Sequence, residues 1–480
     1  MDKVISVVQQ LKKPERSQAD EKPSDENQEA IEFDNDPLNY VNNSRGKRQQ
    51  ITYEERKILE KMNGTYTHSV VSGKHVLLRT VYNPVEGESI SFEPKEQFKN
   101  YFLDEDGIGG LNRGNAWLGW KGKNKKFGGV TFQPATDKAP DDVFNLFRGY
   151  RLKPKEGDCQ PYLDHLKNVI CCGDEKLAGC VLQFFAHMLQ KPDEKPSWAI
   201  LIKSVEGTGK GSLIRPFQDI LGAYYIQLNG EDQLVQRFNY SVANRLLVFV
   251  DEVHISDPKV YNKVKVIISE PTITMEPKGI DVFQVPNLSR LIFTSNHDKV
   301  LLAGQRERRF LVLAPDSTFV GDDDYFKRYY RWLDDDGASH LFYYLLNLDI
   351  STFNPYKAPV TKALIDEKLG SMTNAQNWFY EKLVNDRYGN CHFPARDDAT
   401  DLAREFRGWC IDHTHHNEMT LRSAQTQVGN LMRAMKVHKP RASTADEDGK
   451  RPYFYEFPAV DDLEQKFAEM LGHNREDIFS

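Results

Sequence analysis

An α/β fold organised on a parallel sheet is what this sequence predicts, and three observations carry the prediction. Four strand-like apolar runs, SWAILI, RLLVFVD, RLIFTSN and RRFLVLA, alternate with helical stretches between Lys195 and Pro315. That alternation is the pattern of strands joined by crossover helices. The first run leads into a glycine-rich loop, SVEGTGKGSL (Ser204–Leu213), and the second ends in the acidic pair Asp251-Glu252.

The composition suits such a fold. A chain of 480 residues, 39% hydrophobic and 28% charged, holds enough apolar material for more than one domain. Its net charge of −7 excludes a protein that coats nucleic acid with its whole surface, so contact with DNA is expected from local basic patches or a pore. No run approaches the ~18 apolar residues of a membrane span. The start, MDKVISVVQQLKKPE, lacks the apolar core of a secretory signal. Six cysteines, two of them adjacent at Cys171-Cys172, do not make a disulfide framework. A cytoplasmic protein without a membrane partner is expected.

Along the chain, residues 1–48 read as a flexible acidic tail. The stretch PERSQADEKPSDENQEAIEFDNDPL has too few large apolar side chains to offset the entropy of ordering. Residues 49–155 read as a mixed, aromatic, linker-like N-terminal domain. Asp104 and Asp106 within it form a D-x-D that could hold metal, but acidic turns before glycine are common, and no primase activity is assigned. Residues 156–195 read as a helical subdomain, with Tyr162, Leu166, Val169 and Ile170, then Leu177, Val181, Phe185 and Leu189, at helical spacing. His165, Cys171, Cys172 and Cys180 there fit no standard zinc spacing and are expected as structural groups. Residues 196–320 form the α/β core, 321–385 a helical extension, and 386–480 a small C-terminal domain.

The chemistry concentrates in the core. The usual phosphate loop reads G-x-x-x-x-G-K-[ST]. Here Ser204 replaces the first glycine, and Gly211 follows Lys210, with the hydroxyl one step later at Ser212. The strand–loop–helix context is right, because amides at a helix start and the helix dipole must face the phosphates. Glu206, Gly207, Thr208, Gly209, Lys210, Gly211 and Ser212 are therefore the expected ATP-binding residues, with Lys210 reaching the β- and γ-phosphates. Leu213, Ile214, Phe217, Ile220 and Leu221 continue as a helix, and Pro216 is expected to kink it. Asp251 and Ser212 are the expected Mg²⁺ ligands, Asp251 acting through water, and Glu252 the group that polarises the attacking water. Asn296, ending the third run, would align that water. Arg306, Arg308 and Arg309 in GQRERRFLVL offer a guanidinium that could complete a neighbouring subunit's site, although a solvated charge run reads the same way.

Taken together, the loop at Glu206–Ser212, Asp251-Glu252, the intervening VKVIISEPTITMEPKGIDVFQVPN, Asn296 and Arg308-Arg309 resemble a superfamily 3 helicase of the AAA+ class. The resemblance is to the helicase part of phage, plasmid-satellite and poxvirus primase–helicases, and it covers roughly residues 95 to 370. FGGVTFQPA, VFNLFRGYRLKP and AHMLQKP resemble the segment joining primase to helicase in such proteins. The resemblance implies an AAA+ phosphate-loop ATPase core that assembles as a ring, plausibly a hexamer, and moves along single-stranded or forked DNA. It places a pore hairpin at EPKGI, with Lys278 as its DNA contact, and implies a separately encoded primase. Ser204 and Gly211 depart from the commonest loop spelling. The alternative is an ATP-switched origin-binding initiator, or a replication-interfering DNA-binding protein, without processive unwinding.

In the C-terminal domain, DLAREFRGWCIDHT and SAQTQVGNLMRAM read as amphipathic helices, and KVHKPRASTADEDGKRPYFYEFP as a charged hairpin. That is a winged-helix-like outline. Arg422, Arg433, Lys436, Lys439 and Arg441 are its candidate DNA-binding residues, a protein-docking wing being the alternative. Cys410, His413, His415 and His416 lack a second pair of zinc ligands.

Overall fold

The computed structural model describes residues 36–479, except 85, 236–241, 256, 276–281, 298–299, 301–306, 389–392, 415–418, 446–448 and 450. The chain opens with β1 (Tyr40–Asn42), β2 (Arg48–Gln50) and α1 (Tyr53–Met62). A four-stranded sheet follows from β3 (Tyr66–Val71), β4 (Lys74–Asn83), β5 (Gly87–Pro94) and, beyond α2 (Lys95–Asn100) and α3 (Arg113–Gly119), β6 (Lys125–Lys126). Val41, Leu59, Leu77, Phe98, Trp117 and Trp120 give this region a core of its own. The ordered chain thus reaches into the span read as tail. Asp36 pairs with Arg56 at 2.6 Å, Leu38 accepts the Trp120 indole hydrogen bond, and Val41 is fully buried. Two apolar side chains next to a capping aspartate suffice to anchor 36–48, although the stretch before them is polar.

Short strands β7 (Val130–Thr131) and β8 (Phe144–Asn145) lead to α4 (Gln160–Asp164), which runs on as a π-helical turn over His165–Ile170, and then to α5 (Glu175–Gln190). The central layer comprises β9 (Ala199–Lys203), α6 (Lys210–Leu221), β10 (Tyr225–Asn229), α7 (Glu231–Val235), β11 (Leu247–Asp251) and α8 (Pro258–Ser269). It continues with the antiparallel pair β12 (Thr272–Met275) and β13 (Phe283–Pro286), then β14 (Arg290–Ser295) and β15 (Phe310–Leu313). Five of these strands form one parallel sheet in the order β10-β11-β14-β9-β15. Buried on both faces, they read as nearly continuous apolar runs. Alternate residues divide between two cores, as the two-residue period of a strand requires. Ile200, Ile202, Phe249, Ile292 and Leu311 join the helices α5 and α6, whereas Leu201, Val248, Val250, Phe293 and Val312 join Tyr261, Val264 and Ile268 of α8. Phe217 of α6 stacks on Phe185 of α5 at 4.1 Å and is fully buried, so truncating it to alanine is worth about 3–5 kcal/mol.

The edge strand β10 carries no strong sequence signal, since polar residues interrupt it and one of its sides lacks a partner strand. Pro216 does not end the helix, and α6 runs through it. Proline has no N–H for the carbonyl four residues back, that of Ser212. The Tyr329 hydroxyl donates to this same carbonyl at 2.8 Å, so the vacated acceptor is satisfied from outside the helix.

After the sheet come α9 (Asp323–Trp332), α10 (Ala338–Asn347), α11 (Lys362–Gly370) and α12 (Asn374–Arg387). The stretch read as one helical extension belongs to two cores. Tyr329, Leu341, Phe342 and Leu345 pack into the core of α5 and α6, while Trp378, Phe379 and Leu383 of α12 pack with Phe406 and Phe467 of the C-terminal domain. That domain therefore begins before residue 386. It continues with β16 (Arg396–Asp398), α13 (Ala399–His413), α14 (Leu421–Ala434), β17 (Phe454–Glu456), α15 (Val460–Leu471) and α16 (Arg475–Ile478). Antiparallel bridges His438–Glu456 and Arg441–Tyr453 form a wing beyond α14. No helix among the described residues is long and apolar enough to cross a membrane.

Candidate functional site

Parallel strands deliver their C-terminal ends to one edge of the sheet, and the sequence-predicted residues collect there. Register sets Ser295 beside Lys203 and Asn229 beside Asp251. The amide of Ser204 donates to Ser295 O at 3.0 Å, which ties the start of the glycine loop to the strand that precedes Asn296. Asn296 itself is exposed at this edge.

The loop turns through left-handed glycines, Gly207 at φ 79° and Gly209 at φ 87°, and α6 starts at Lys210. Thr208 is buried, its hydroxyl held by Ser204 Oγ at 2.6 Å and Val205 O at 3.1 Å. Lys210 Nζ donates to Ser204 O at 2.8 Å and Val205 O at 3.3 Å, carbonyls of its own loop. Burial lowers the Lys210 pKa, and the charges of Asp251, Glu206 and Glu252 oppose that shift. Four of the predicted groups thus share one electrostatic neighbourhood.

Asp251 sits at the end of β11 and accepts hydrogen bonds at Oδ1 from the Thr294 hydroxyl and, at 3.2 Å, from the Glu252 amide. Glu252 is exposed with φ 56°, a left-handed conformation that costs a non-glycine residue on the order of 1–2 kcal/mol. The Val253 amide bonds to Thr294 O at 2.9 Å, and Ser295 Oγ to Val253 O at 2.6 Å, so neighbouring bonds hold the turn. His254 and His297 bring their ring centroids to 4.5 Å next to this turn.

Ser212 differs from its expected role as a metal-side hydroxyl. It is buried, and its Oγ lies 3.0 Å from the hydroxyl of Tyr330. One helical step separates it from Gly211, where an added Cβ would meet nothing within 4 Å. The position facing open space over the loop has no side chain, and the side chain one residue later is turned toward α9. Asp251, the other expected metal-side group, is half-buried at the end of β11. Among the described residues no three acidic, histidine or cysteine side chains form a metal cage. The donor set therefore fits a cation carried on phosphate oxygens and water, as Mg²⁺ usually is, rather than a fixed protein site.

The sequence reading missed the support behind the loop. His165 lies fully buried in the π-helical turn, with Nε2 3.1 Å from Gly209 O and Nδ1 3.0 Å from the Tyr325 hydroxyl. A carbonyl only accepts, so Nε2 carries the proton and Nδ1 accepts from tyrosine. Burial holds the imidazole neutral, with its pKa lowered to about 4. A Cβ on Gly209 would come within 2.6 Å of this ring, so glycine is required there for space as well as for φ. His165, Cys171, Cys172 and Cys180 are expected from the sequence as structural groups; the histidine supports the loop and the three thiols are free.

Arg308 and Arg309 are far from this edge. They precede β15, with Arg309 O bonded to the Ala199 amide at the start of β9. Five strand residues, about 16 Å, separate that end of the sheet from the loop. Arg309 Nε reaches Ser269 Oγ at 3.0 Å, and Arg308 is exposed. Between them and Tyr261 the buried Glu307 accepts both arginine backbone amides and the Tyr261 hydroxyl, and pairs ionically with Lys265 at 4.0 Å. Lys278 and Arg306 lie outside the described residues, as do His415 and His416; the flanking β12 and β13 pair as a hairpin. Arg422, Arg433, Lys436, Lys439 and Arg441 are gathered in the C-terminal domain, on α14 and the wing. Asp104 and Asp106 are exposed.

Known proteins were compared with the chain at two levels. Residues 202–309, which hold the loop, the acidic pair and the paired arginines, match a family of unknown function, DUF5906. A stretch of 144 residues, 29% of the chain, is 26% identical to a DNA primase-polymerase of Nitratiruptor phage NrS-1 and spans 20% of that relative. In three dimensions the chain is similar to the apo structure of the NrS-1 C-terminal region, with a TM-score of 0.63 at 14% identity, covering 88% of this chain and 100% of that one. A second form of that region gives 0.62 over 84% and 98%. The chain is thus a mixed α/β protein with a parallel sheet, similar in fold to the C-terminal region of the phage protein.

Proposed function

We propose that this chain is the ATP-driven motor of a phage or mobile-element replication system, a ring-forming helicase of the AAA+ class that moves on single-stranded DNA. The observation that carries the reading is that the glycine loop and Lys210 follow β9 while Asp251 and Glu252 close β11, at the C-terminal edge of one parallel sheet. Numbered along the chain within the sheet, the strands run 2-3-4-1-5, which sets the loop strand between the Asn296 strand and the last one. The name of the phage relative, a DNA primase-polymerase, supports a role in replication.

In this reading the loop amides and Lys210 hold the β- and γ-phosphates of ATP. Lys210 needs only to exchange two carbonyls of its own loop for phosphate oxygens. Asp251, whose carboxylate is aimed by Thr294, would hold Mg²⁺, which would supply neutralisation of phosphate charge. Glu252 takes the proton of the attacking water, which Asn296 orients. Charge developing on the transferring phosphoryl group is met by Arg308 or Arg309 of an adjacent copy, since about 16 Å of strand keeps a subunit's own arginines from its own loop. A ring, proposed as a hexamer, would bring the arginines of one copy to the loop of the next. The β12–β13 pair, between whose strands the sequence holds Lys278, is the element proposed to follow the DNA strand. An assay of ATP hydrolysis with and without single-stranded DNA, together with forked-duplex unwinding, tests the reading. Hydrolysis and unwinding are expected in the parent protein and absent in Lys210→Ala. A parent protein that neither binds nor hydrolyses ATP removes the proposal.

A further inference from the structure

Helix α11 lies between the central sheet and the C-terminal domain, and neighbouring residues along it serve the two sides in turn. Leu364 packs into the sheet core that holds Val250 and Val312, whereas Ile365 packs with Trp378 and Phe379 of the C-terminal domain. One turn on, Glu367 and Lys368 divide in the same way, and both are buried. Successive residues of a helix point about 100° apart, so α11 presents one stripe to each neighbour.

The Glu367 carboxylate holds two segments of the candidate site. Its Oε1 accepts from Lys203 Nζ at 2.8 Å, and its Oε2 accepts from the Val300 amide at 3.2 Å. Lys203 ends β9, directly before the glycine loop, and Val300 follows Asn296 in the chain. Strands β9 and β14 are paired there, with Lys203 beside Ser295. The two oxygens therefore fix the start of the loop relative to the segment beyond Asn296. On the other stripe, Lys368 Nζ donates at 3.4 Å to the carbonyl of Leu471, the last residue of α15. This side is looser. A cleft of about 840 Å³ opens between the start of α11 and residues 472–477, and His473 Nε2 beside it is buried with no hydrogen-bond partner among the described residues. A junction that leaves a buried nitrogen unmet has room to shift, whereas the carboxylate cannot move without moving the loop strand.

We infer that α11 couples the ATP site to the C-terminal domain, with Glu367 as the positioning residue at the site's end. The inference rests on the reading that the loop binds ATP, and it adds regulation of that site from a domain built on a separate core. A shift of the loop strand on nucleotide binding draws Glu367, and with it Lys368, so the C-terminal domain responds to the nucleotide. By reciprocity, whatever the C-terminal domain binds changes nucleotide affinity by the same factor.

Hydrogen exchange of the full chain, with and without a non-hydrolysable ATP analogue, tests it. In the parent, the analogue should slow amide exchange in α15 and α16 about fivefold. Glu367→Gln keeps the size of the side chain but cannot accept at both of its ends. It should abolish that response and lower turnover about 10–100-fold, with nucleotide affinity kept within about twofold. Lys203→Met combined with Glu367→Met replaces the pair by apolar side chains. Its thermal midpoint should return to that of the parent, while turnover and the exchange response stay lost. Any of three results overturns the inference: the analogue binds without changing exchange in α15 and α16, Glu367→Gln keeps the parent's turnover or response, or the paired methionine variant recovers turnover along with stability. A parent protein that binds no analogue is recognised at the first titration, and that outcome removes the ATP reading and this inference with it.

Discussion

The two ends of the central sheet hold similar charged residues in opposite circumstances. At the N-terminal end, Arg290 is fully buried and donates to carbonyls of Leu288, Lys191 and Glu194, while Glu307 accepts from Tyr261 and two backbone amides. Those groups are spent on the fold. At the C-terminal end, Lys210 is bound only by its own loop, and Glu252 faces solvent in a left-handed turn. A charge that is desolvated but provisionally satisfied is available to a ligand; one fixed by distant carbonyls is not. The difference also separates Arg308, exposed at the first end, from the buried Arg290 eighteen positions earlier in the same layer.

The sharpest way to break this contrast is to test whether the two ends meet across subunits. A variant lacking both guanidiniums, Arg308→Ala with Arg309→Ala, should lose about 10³-fold or more in turnover while still binding nucleotide. Mixing it with Lys210→Ala protein should restore part of the activity, because a mixed ring holds some complete sites; steady-state hydrolysis across mixing ratios measures this. Lys210→Ala alone should reduce turnover about 10²–10³-fold and weaken nucleotide binding, read by titration with a fluorescent ATP analogue. Thr294→Val removes the hydrogen bond that aims Asp251 and should cost about 10–100-fold in turnover, with a higher Mg²⁺ requirement and unchanged thermal stability to within a few degrees.

The smallest effects concern stability. Tyr329→Phe leaves the Ser212 carbonyl, already without a proline N–H, unsatisfied and buried, so urea denaturation should show a loss of about 1–3 kcal/mol. The pH dependence has a definite sign. His165 has a pKa of about 4 when folded against the ordinary 6.5, so the unfolded chain takes up protons first as pH falls. Stability from the neutral imidazole is complete above pH 6.5 and drains away toward pH 4. His68, also near 4, and His187, near 3, act in the same direction. His165→Gln should flatten the acid limb of a denaturation-midpoint curve by about one proton.

Much of the sheet was legible because buried parallel strands leave long apolar runs, and the turn before α6 because closely spaced glycines mark left-handed backbone. Strand β10 was not legible, being a short edge strand with polar residues at Gln227 and Asn229. Thr294 was hidden inside an apolar run, where one hydroxyl looks like an ordinary β-branched filler. Pro216 looked like a flaw in the helix because its compensation, Tyr329, lies 117 residues from the Ser212 carbonyl it serves. The hydroxyl of Ser212 was assigned by adjacency to Lys210, but one step along a helix is a turn of about 100°, enough to swing it from the loop's open side to α9.

The π-helical turn at His165–Ile170 carries a last consequence. Such a turn is a helix with one residue too many, so His165 reaches Gly209 by virtue of chain length as much as chemical identity. Removing any single residue between 166 and 170 would restore ordinary winding and rotate the segment before it out of phase with the segment after it. Single-codon deletions there should be more damaging than most substitutions. Searches for relatives that score letters alone will pass over the residue that steadies the loop, whereas counting the spacing from this helix to the next would find it.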